Sequence, residues 1–188
     1  MSLASAASLG VQGAWLLARG RADGLSLIEN DWAGAARSFC AIAICLPSFI
    51  CLRLMTWAID GLPSHAAHAL ALDLLSYVIQ WCGFAVLSHQ LVGAMGLAER
   101  WPKFIAVWNW CAVVQYLMLV VFSVPEVLGV PALLAQAAQL FALGWALWLE
   151  WFAFRLVLDV RAVTAAWLVG VDLALSVVLA TVGAGLTG

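Results

Sequence analysis

The sequence predicts an all-α membrane protein, a polytopic bundle of five transmembrane helices. Of its 188 residues, 66% are hydrophobic and only 10% are charged, whereas soluble domains carry about 25% charged residues. Several apolar stretches reach the ~20 residues that a membrane-spanning helix needs. Basic residues also alternate from one connecting segment to the next, a pattern that fits an odd number of spans.

Residues 1–37 are predicted to form a cytoplasmic amphipathic lead-in. Polar and apolar residues recur there near helical spacing on opposite sides, which is typical of a short helix lying on the membrane interface. The polar set is Ser5, Ser8, Gln12 and Arg19, and the apolar set is Leu9, Val11, Leu16 and Leu17. Because the first positive charge follows the apolar stretch, this is not the pattern of a signal peptide, and we expect the segment to be retained.

Residues 38–188 are predicted to form a single five-helix transmembrane domain. Three charge-free stretches are long enough to cross, namely Leu74–Ala98, Phe104–Pro125 and Val127–Leu149. Two more, Ser38–Ile59 and Ala162–Val182, contain one charge each, Arg53 and Asp172. A central aspartate costs ~2.5–3.5 kcal/mol on insertion, and about ten large apolar residues in that span offset it with ~3–6 kcal/mol. The predicted spans cover about 38–59, 68–93, 104–124, 132–154 and 162–182.

The basic residues predict the orientation. Outside the spans they fall before span one, between spans two and three, and between spans four and five: Arg19, Arg21, Arg37, Arg100, Lys103, Arg155 and Arg161. Positive charge is retained on the cytoplasmic side. We therefore expect a cytoplasmic N-terminus, an outer C-terminus and a place in a bacterial inner membrane. No Gly or Pro marks the break between spans four and five, so only Arg155, Asp159 and Arg161 locate it. Pro47 predicts a kink in span one.

Composition and motifs disfavour several function classes. A formal charge of −2 with dispersed basic residues disfavours nucleic-acid binding. The five cysteines are odd in number and form no CxxC pair, so we interpret them as small buried side chains. Asp60, His65 and His68 lie close together but lack a recognised metal spacing. No HExxH, phosphate-binding loop or nucleophile elbow is present. We expect no metal, no cofactor and no enzymatic activity.

Asp172 is the most unusual residue in the sequence. It lies ~14 Å into span five, near the middle of a ~30 Å hydrocarbon core. No basic residue shares that depth, so the carboxyl must be protonated, hydrogen-bonded or wetted by a cavity. Ser176, Gln80 and Gln115 reach similar depths. Asp172 is therefore either a proton- or substrate-linked site or a structural hydrogen-bonding residue.

Two further groups of polar residues lie within or near the spans. Arg53 and Asp73 occupy the outer third of adjacent antiparallel spans and are expected to pair, either structurally or as a substrate site. A second set near the inner surface consists of His89, Gln90, Asn109, Glu150 and Arg155. These are interpreted either as solvated helix ends or as a site for a lipid headgroup or partner.

Small and aromatic residues suggest how the helices pack. Small residues recur at every fourth position of span five and form a ridge that permits close helix contact. The ridge is Ala162, Ala166, Gly170 and Ala174. It serves either packing within the bundle or a seam with a second copy or partner. An aromatic belt at the inner headgroup zone is predicted from Trp101, Trp108, Trp110, Trp148, Trp151 and Trp167.

The layout resembles the Ypt/Rab-interacting protein domain family over roughly residues 38–182. The resemblance rests on five spans with an amphipathic lead-in, a Gly-containing inner loop (93–96) running into Trp101-Pro102-Lys103-Phe104, and a short basic bend followed by small residues (155–166). Eukaryotic members are trafficking proteins whose longer cytosolic N-termini contact prenylated small GTPases. The N-terminus here is shorter, so the resemblance does not extend to GTPase binding, and it transfers no site residue.

Two functions follow as expectations. The first is a non-enzymatic scaffold or accessory subunit that acts through helix packing in the lipid bilayer, with other membrane proteins or a second copy. The alternative is a small transporter or proton-linked permease component that uses Asp172 and the Arg53/Asp73 pair. A transporter predicts a polar path connecting those residues, whereas a scaffold predicts a dry interior and an exposed seam at Gly170.

Overall fold

A computed structural model describes residues 2–187, and every regular element in that range is helical. The α-helices are α1 Leu3–Leu17, α2 Trp32–Ser38, α3 Ala41–Asp60, α4 Ala66–Ala94, α5 Trp101–Val127, α6 Ala132–Leu158 and α7 Ala162–Thr187. Short 3₁₀ turns occupy Ala22–Leu27 and Ala98–Arg100. Five helical segments are long and apolar enough to cross a membrane. The prediction of an all-α, five-span membrane fold is confirmed.

The helices alternate in direction, so the bundle has two ends. We call the end that carries the α3–α4 and α5–α6 loops the distal end, and the opposite one the proximal end. The first candidate span begins at Trp32 rather than at residue 38, because α2 continues almost directly into α3. Short-range bonds such as Cys40 N–H to the Arg37 carbonyl (3.1 Å) tighten that junction. Pro47 lies inside α3, where it supplies no backbone donor.

The turn between α6 and α7 is short. Helix α6 runs to Leu158, beyond the expected end at 154, and only residues 159–161 separate it from α7. Asp159 ends the helix in a left-handed conformation with φ 54°. The Arg100 guanidinium donates to the Leu158 carbonyl and lies 3.8 Å from the Asp159 carboxylate. These contacts satisfy a helix end that has no glycine or proline.

Helix α5 is the centre of the bundle. Every residue from Phe104 to Val114 is buried, and the helix packs against α1, α2, α3 and α6. Contacts between aromatic rings fix this core. The ring centroids of Phe104 and Phe154 of α6 are 4.5 Å apart, and those of Trp108 and Phe84 of α4 are 4.6 Å apart. A helix that is apolar on all sides is the one that others surround.

The N-terminal helix α1 packs closely on α5. A Cβ added at Gly10 of α1 would overlap the Trp110 indole of α5. One added at Gly24, in the 3₁₀ turn that follows α1, would overlap the Gly13 carbonyl. The face against the bundle is therefore built mainly from small residues. Its buried members are Ala6, Gly10, Gly13, Ala14 and Leu17. The predicted apolar set differs, since Leu9, Val11 and Leu16 are only partly buried, although Ser8, Gln12 and Arg19 are exposed as expected.

The aromatic belt prediction is wrong for the tryptophans of α5. Trp101, Trp108 and Trp110 are buried, with exposures of 8%, 6% and 3%. They face the bundle because α1, α2, α3 and α6 enclose this half of α5. Trp148 and Trp167 do lie on the surface. The cysteines also divide, since Cys45 and Cys111 are buried as expected, Cys40 and Cys51 are partly buried, and Cys82 is exposed.

Helices α3 and α4 stand apart, although they follow each other in the chain. Their backbones make few close approaches, whereas α4 packs along α7, and α7 in turn packs along α6. Side chains bridge the separation, among them the Tyr77 hydroxyl, which donates to the Ile42 carbonyl at 2.7 Å. The separation leaves room for a cavity between α3, α4 and α7.

Candidate functional site

Three polar groups surround Asp172 in the interior. The Gln80 amide donates to Oδ1 of Asp172 at 2.8 Å, and the Trp108 indole N–H donates to Oδ2 at 3.3 Å. The Ser176 hydroxyl, one turn along α7, donates to the Asp172 backbone carbonyl at 3.1 Å. Gln115 was predicted at a similar depth, but it donates to the Ala146 carbonyl at 2.9 Å instead. Asp172 is therefore held by donors from α4 and α5.

Glu150 is the second carboxyl of this site, and its interpretation as a solvated helix end is wrong. Only 5% of the residue is exposed, because α6 continues eight residues beyond it, ~12 Å at the helical rise. The Glu150 and Asp172 side chains line the same small cavity and are close enough to interact electrostatically. Its Oε1 is buried without a hydrogen-bond partner among the described residues. The two residues form what we call the carboxyl pair.

The carboxyl pair requires a shared proton. No ion pair among residues 2–187 involves either Glu150 or Asp172. Two adjacent carboxylates without a cation cannot both be ionised in a low-dielectric interior. Asp172 receives two N–H donors, which favour its charged form. Glu150 is deeply buried and its Oε1 has no donor, so geometry places the shared proton on Glu150.

A cavity leads from the distal end towards the carboxyl pair. It has a volume of about 490 Å³ and extends from Pro63 in the α3–α4 loop to Gln80. A smaller chamber of about 250 Å³ is lined by Trp108, Glu150 and Asp172. Both spaces are lined by Gln80, Tyr116 and Ser176. These three side chains form the boundary between the outer cavity and the inner chamber.

The Arg53–Asp73 pair lies in the wall of the outer cavity. The Arg53 guanidinium contacts the Asp73 carboxylate at 2.7 Å across α3 and α4, as the antiparallel arrangement predicts. The two side chains are 34% and 23% exposed, so the pair is accessible from the cavity. Phe49 and Tyr77 pack beside it with ring centroids 4.6 Å apart. The outer cavity thus contains an ion pair and the inner chamber a carboxyl pair, and a transport path through them stays a prediction.

Asn109 was expected near a solvated helix end, and that prediction is also wrong. The residue has no exposed surface, because α1, α2 and α3 cover this part of α5. Its amide donates to the Ser38 hydroxyl at 2.7 Å, and that hydroxyl donates to the Ala35 carbonyl at 2.7 Å. Asn109 therefore fixes α2 against α5 and lies outside both cavities.

The other members of the second polar set lie on the surface. His89, Gln90 and Arg155 are exposed. The His89 ring meets the Trp101 ring edge-on at 4.9 Å, and Arg155 lies over the Trp151 ring at 5.7 Å. The distal-loop residues Asp60, His65 and His68 are exposed as well. Within residues 2–187, no group of three His, Cys, Asp or Glu side chains is arranged to hold a metal ion.

The small-residue ridge of α7 faces away from the bundle. Its four residues, Ala162, Ala166, Gly170 and Ala174, are all exposed. A Cβ added at Gly170 would meet no atom within 4 Å. The buried face of α7 is formed by Ala165, Leu168 and Val169 instead. The ridge therefore does not serve packing within the bundle, and the seam with a second copy or partner stays a prediction.

Sequence reasoning missed the roles of Glu150 and Trp108 in this site. Trp108 was assigned to a surface belt, and Glu150 directly follows a charge-free stretch, which made it resemble a boundary marker. A helix extended to Leu158 was the one available signal. It places Glu150 and Asp172 at depths that differ by less than one helical turn. Comparisons with protein families, with curated proteins and with solved structures found no match to this chain.

Proposed function

We propose that this membrane protein is a small proton-linked transporter or permease component. The observation that supports the proposal is that the outer cavity, lined by the Arg53–Asp73 pair, adjoins the inner chamber, lined by the carboxyl pair. Ionisable residues within a membrane face high desolvation costs and are typical of proton and substrate pathways. A non-enzymatic role is part of the proposal.

The carboxyl pair supplies a proton-binding step. With one proton the pair carries a single negative charge, and with two it is neutral. Because burying a charge in hydrocarbon is costly, the two states differ in the free energy of closing the chamber around them. Gln80 and Trp108 stabilise the charged state by donating to Asp172. Solute binding from the outer cavity is thereby coupled to the protonation of the pair.

Proteoliposomes test this function directly. Vesicles containing the purified protein and a trapped pH-sensitive dye are given a pH gradient, and a panel of amines, carboxylates, amino acids and sugars is added in turn. We expect at least one solute class to dissipate the gradient faster than in protein-free vesicles. Asp172→Asn should abolish that flux, while Glu99→Gln, an exposed carboxylate on the proximal loop, should retain it. Equal flux through wild type and Asp172→Asn, or no flux with any class, contradicts the proposal.

A second candidate function rests on the exposed ridge of α7. A row of small residues permits close helix approach, so the ridge favours a scaffold or accessory subunit that packs against a second copy or another membrane protein. Crosslinking in native membranes tests it with Gly170→Leu. The matched control is Gly144→Leu, since Gly144 is also exposed and open on α6. An oligomer pattern unchanged by Gly170→Leu rejects the seam.

We further propose that the proximal end faces the cytoplasm of a bacterial inner membrane, because the basic residues before and between the spans collect at that end. A reporter fused after Gly188 that is active only outside the cytoplasm agrees with this orientation. Activity only in the cytosol reverses it.

A further inference from the structure

We propose that the ligand of this route is a small organic ammonium ion with an aromatic or apolar body, taken up in exchange for a proton. The inference rests on the proposed function and names its substrate class. Three independent features of the two cavities support it: unpartnered acceptor oxygens, the charge balance of the lining, and aromatic walls.

The first feature is a pair of buried acceptors without donors. Oε1 of Glu150 and Oε1 of Gln80 are both buried and have no hydrogen-bond partner among the described residues. Both residues line the inner chamber. Leaving a buried acceptor unpaired is unfavourable. A ligand that brings several N–H donors, such as a primary ammonium group, can pair with oxygens of this kind, whereas a carboxylate or phosphate cannot.

The second feature is the charge of the lining. Arg53 is the sole basic residue that lines either cavity within the described chain, and Asp73 neutralises it at 2.7 Å. The carboxyl pair then leaves one negative charge unbalanced. A monovalent cation restores neutrality, and an anion adds repulsion.

The third feature is the shape and chemistry of the outer cavity. Aromatic side chains from three helices line it, namely Phe49, Trp57, Tyr77 and Tyr116. Aromatic faces attract organic cations and pack well against apolar bodies. With a volume of about 490 Å³, the cavity has room for a ligand with one aromatic ring.

Proton and ammonium ion compete for the same negative charge. A second proton on the carboxyl pair neutralises it and removes the attraction for the cation, so binding weakens as the pH falls. The groups that face the pair are the Gln80 amide of α4 and the Trp108, Cys111 and Tyr116 side chains of α5. None of these is basic. The pair is neutral either with a second proton or with one bound ammonium ion, so exchanging that proton for an ammonium ion is electrically neutral.

Calorimetric titration of the wild-type protein in detergent tests the ligand class with an isosteric series. Phenylethylammonium, phenylethanol and phenylacetate share a ring and chain length but carry a positive, neutral and negative head. We expect measurable binding of the ammonium ion alone, weakening at acidic pH. Equal binding of the alcohol or the acid, or no binding of the ammonium ion, overturns the inference without any substitution.

Variants locate the site. Asp172→Asn removes the unbalanced charge and Gln80→Met removes one unpartnered oxygen, so each should weaken phenylethylammonium binding about tenfold or more, the scale of one hydrogen bond to a charged group. The matched controls are Glu99→Gln and Gln90→Met, both at exposed positions, and they should bind like wild type. Binding unaffected by both cavity variants overturns the inference.

The two proposals fail separately, because calorimetry does not require transport. Ammonium binding without proton-coupled flux rejects the transport function and keeps the ligand class. Asp172-dependent flux of a different solute class keeps the function and rejects the ligand class.

Discussion

Replacing Gly10 by alanine should release the N-terminal helix from the bundle. Glycine in a helix interior is less stable than alanine by about 0.5–1 kcal/mol. This change would therefore stabilise a helix in which the position faced no neighbour. At Gly10, however, the new methyl group overlaps three atoms of the Trp110 indole. Trp110 is only 3% exposed and sits within the core, so the ring has nowhere to move. Overpacking of this kind costs about 1–3 kcal/mol, and the net loss is expected to be about 1–2 kcal/mol.

Thermal unfolding in detergent measures this loss. For a chain of this size, about 1–2 kcal/mol corresponds to a Tm lower by roughly 2–8 °C. Gly144→Ala is the control, because a methyl group there meets nothing within 4 Å. Proteolysis near the N-terminus should also become faster in Gly10→Ala alone. If Gly10→Ala is as stable as Gly144→Ala, α1 is not docked on α5 and the reasoning is refuted.

Two further substitutions follow from local contacts. Asn109→Ala should lower stability by about 1–3 kcal/mol, because it leaves the buried Ser38 hydroxyl without its amide partner; a Tm equal to wild type contradicts this. The Arg21 guanidinium lowers the pKa of the exposed Asp23 carboxyl chiefly through a hydrogen bond. The stabilisation that this contact gives the folded protein is present above the ordinary pKa of an aspartate. It is lost as the pH falls through the lowered pKa of Asp23. Arg21→Gln should therefore raise the pKa of Asp23, as followed by NMR titration, and an unchanged titration disproves the contact.

The spans could be predicted from sequence because their cause is local. A run of about 20 apolar residues inserts as a helix whatever surrounds it. The boundaries with clear signals, such as Pro102 at the start of α5, lie close to the prediction. The α6–α7 boundary has no such signal, and the structure locates it through the left-handed Asp159 and the Arg100 contact. The orientation stays a prediction.

The packing of α1 could not be predicted in the same way. Amphipathicity identifies a helix with two faces, but it does not say which face finds a partner. Here glycines and alanines make the contact, because their small size lets the Trp110 ring lie close to the α1 backbone. The same cause explains why Trp101 and Trp108 are core residues. A tryptophan at a helix end is predicted to lie at the membrane–water interface unless the helices that cover it are known.

The candidate site was predictable in part. Asp172, Arg53 and Asp73 stand out because each is a charge inside an apolar stretch, and the contact between Arg53 and Asp73 follows from their depths. Glu150 did not stand out, because it adjoins the end of a charge-free stretch and was interpreted as a solvated end. Depth along a helix depends on where the helix ends, and that end is set by tertiary contacts at Asp159.

A purely structural role does not explain why the interior holds two carboxyls side by side. A glutamine or asparagine would accept the hydrogen bonds of Gln80 and Trp108 without the cost of burying a charge. The pair also leaves Oε1 of Glu150 without a donor, so it is incompletely satisfied as a packing motif. What a carboxyl pair adds over an amide is the ability to gain and lose a proton. The pair lies beyond Gln80, at the inner limit of a cavity that begins at the distal loop. That cavity gives protons a route between the pair and the outside.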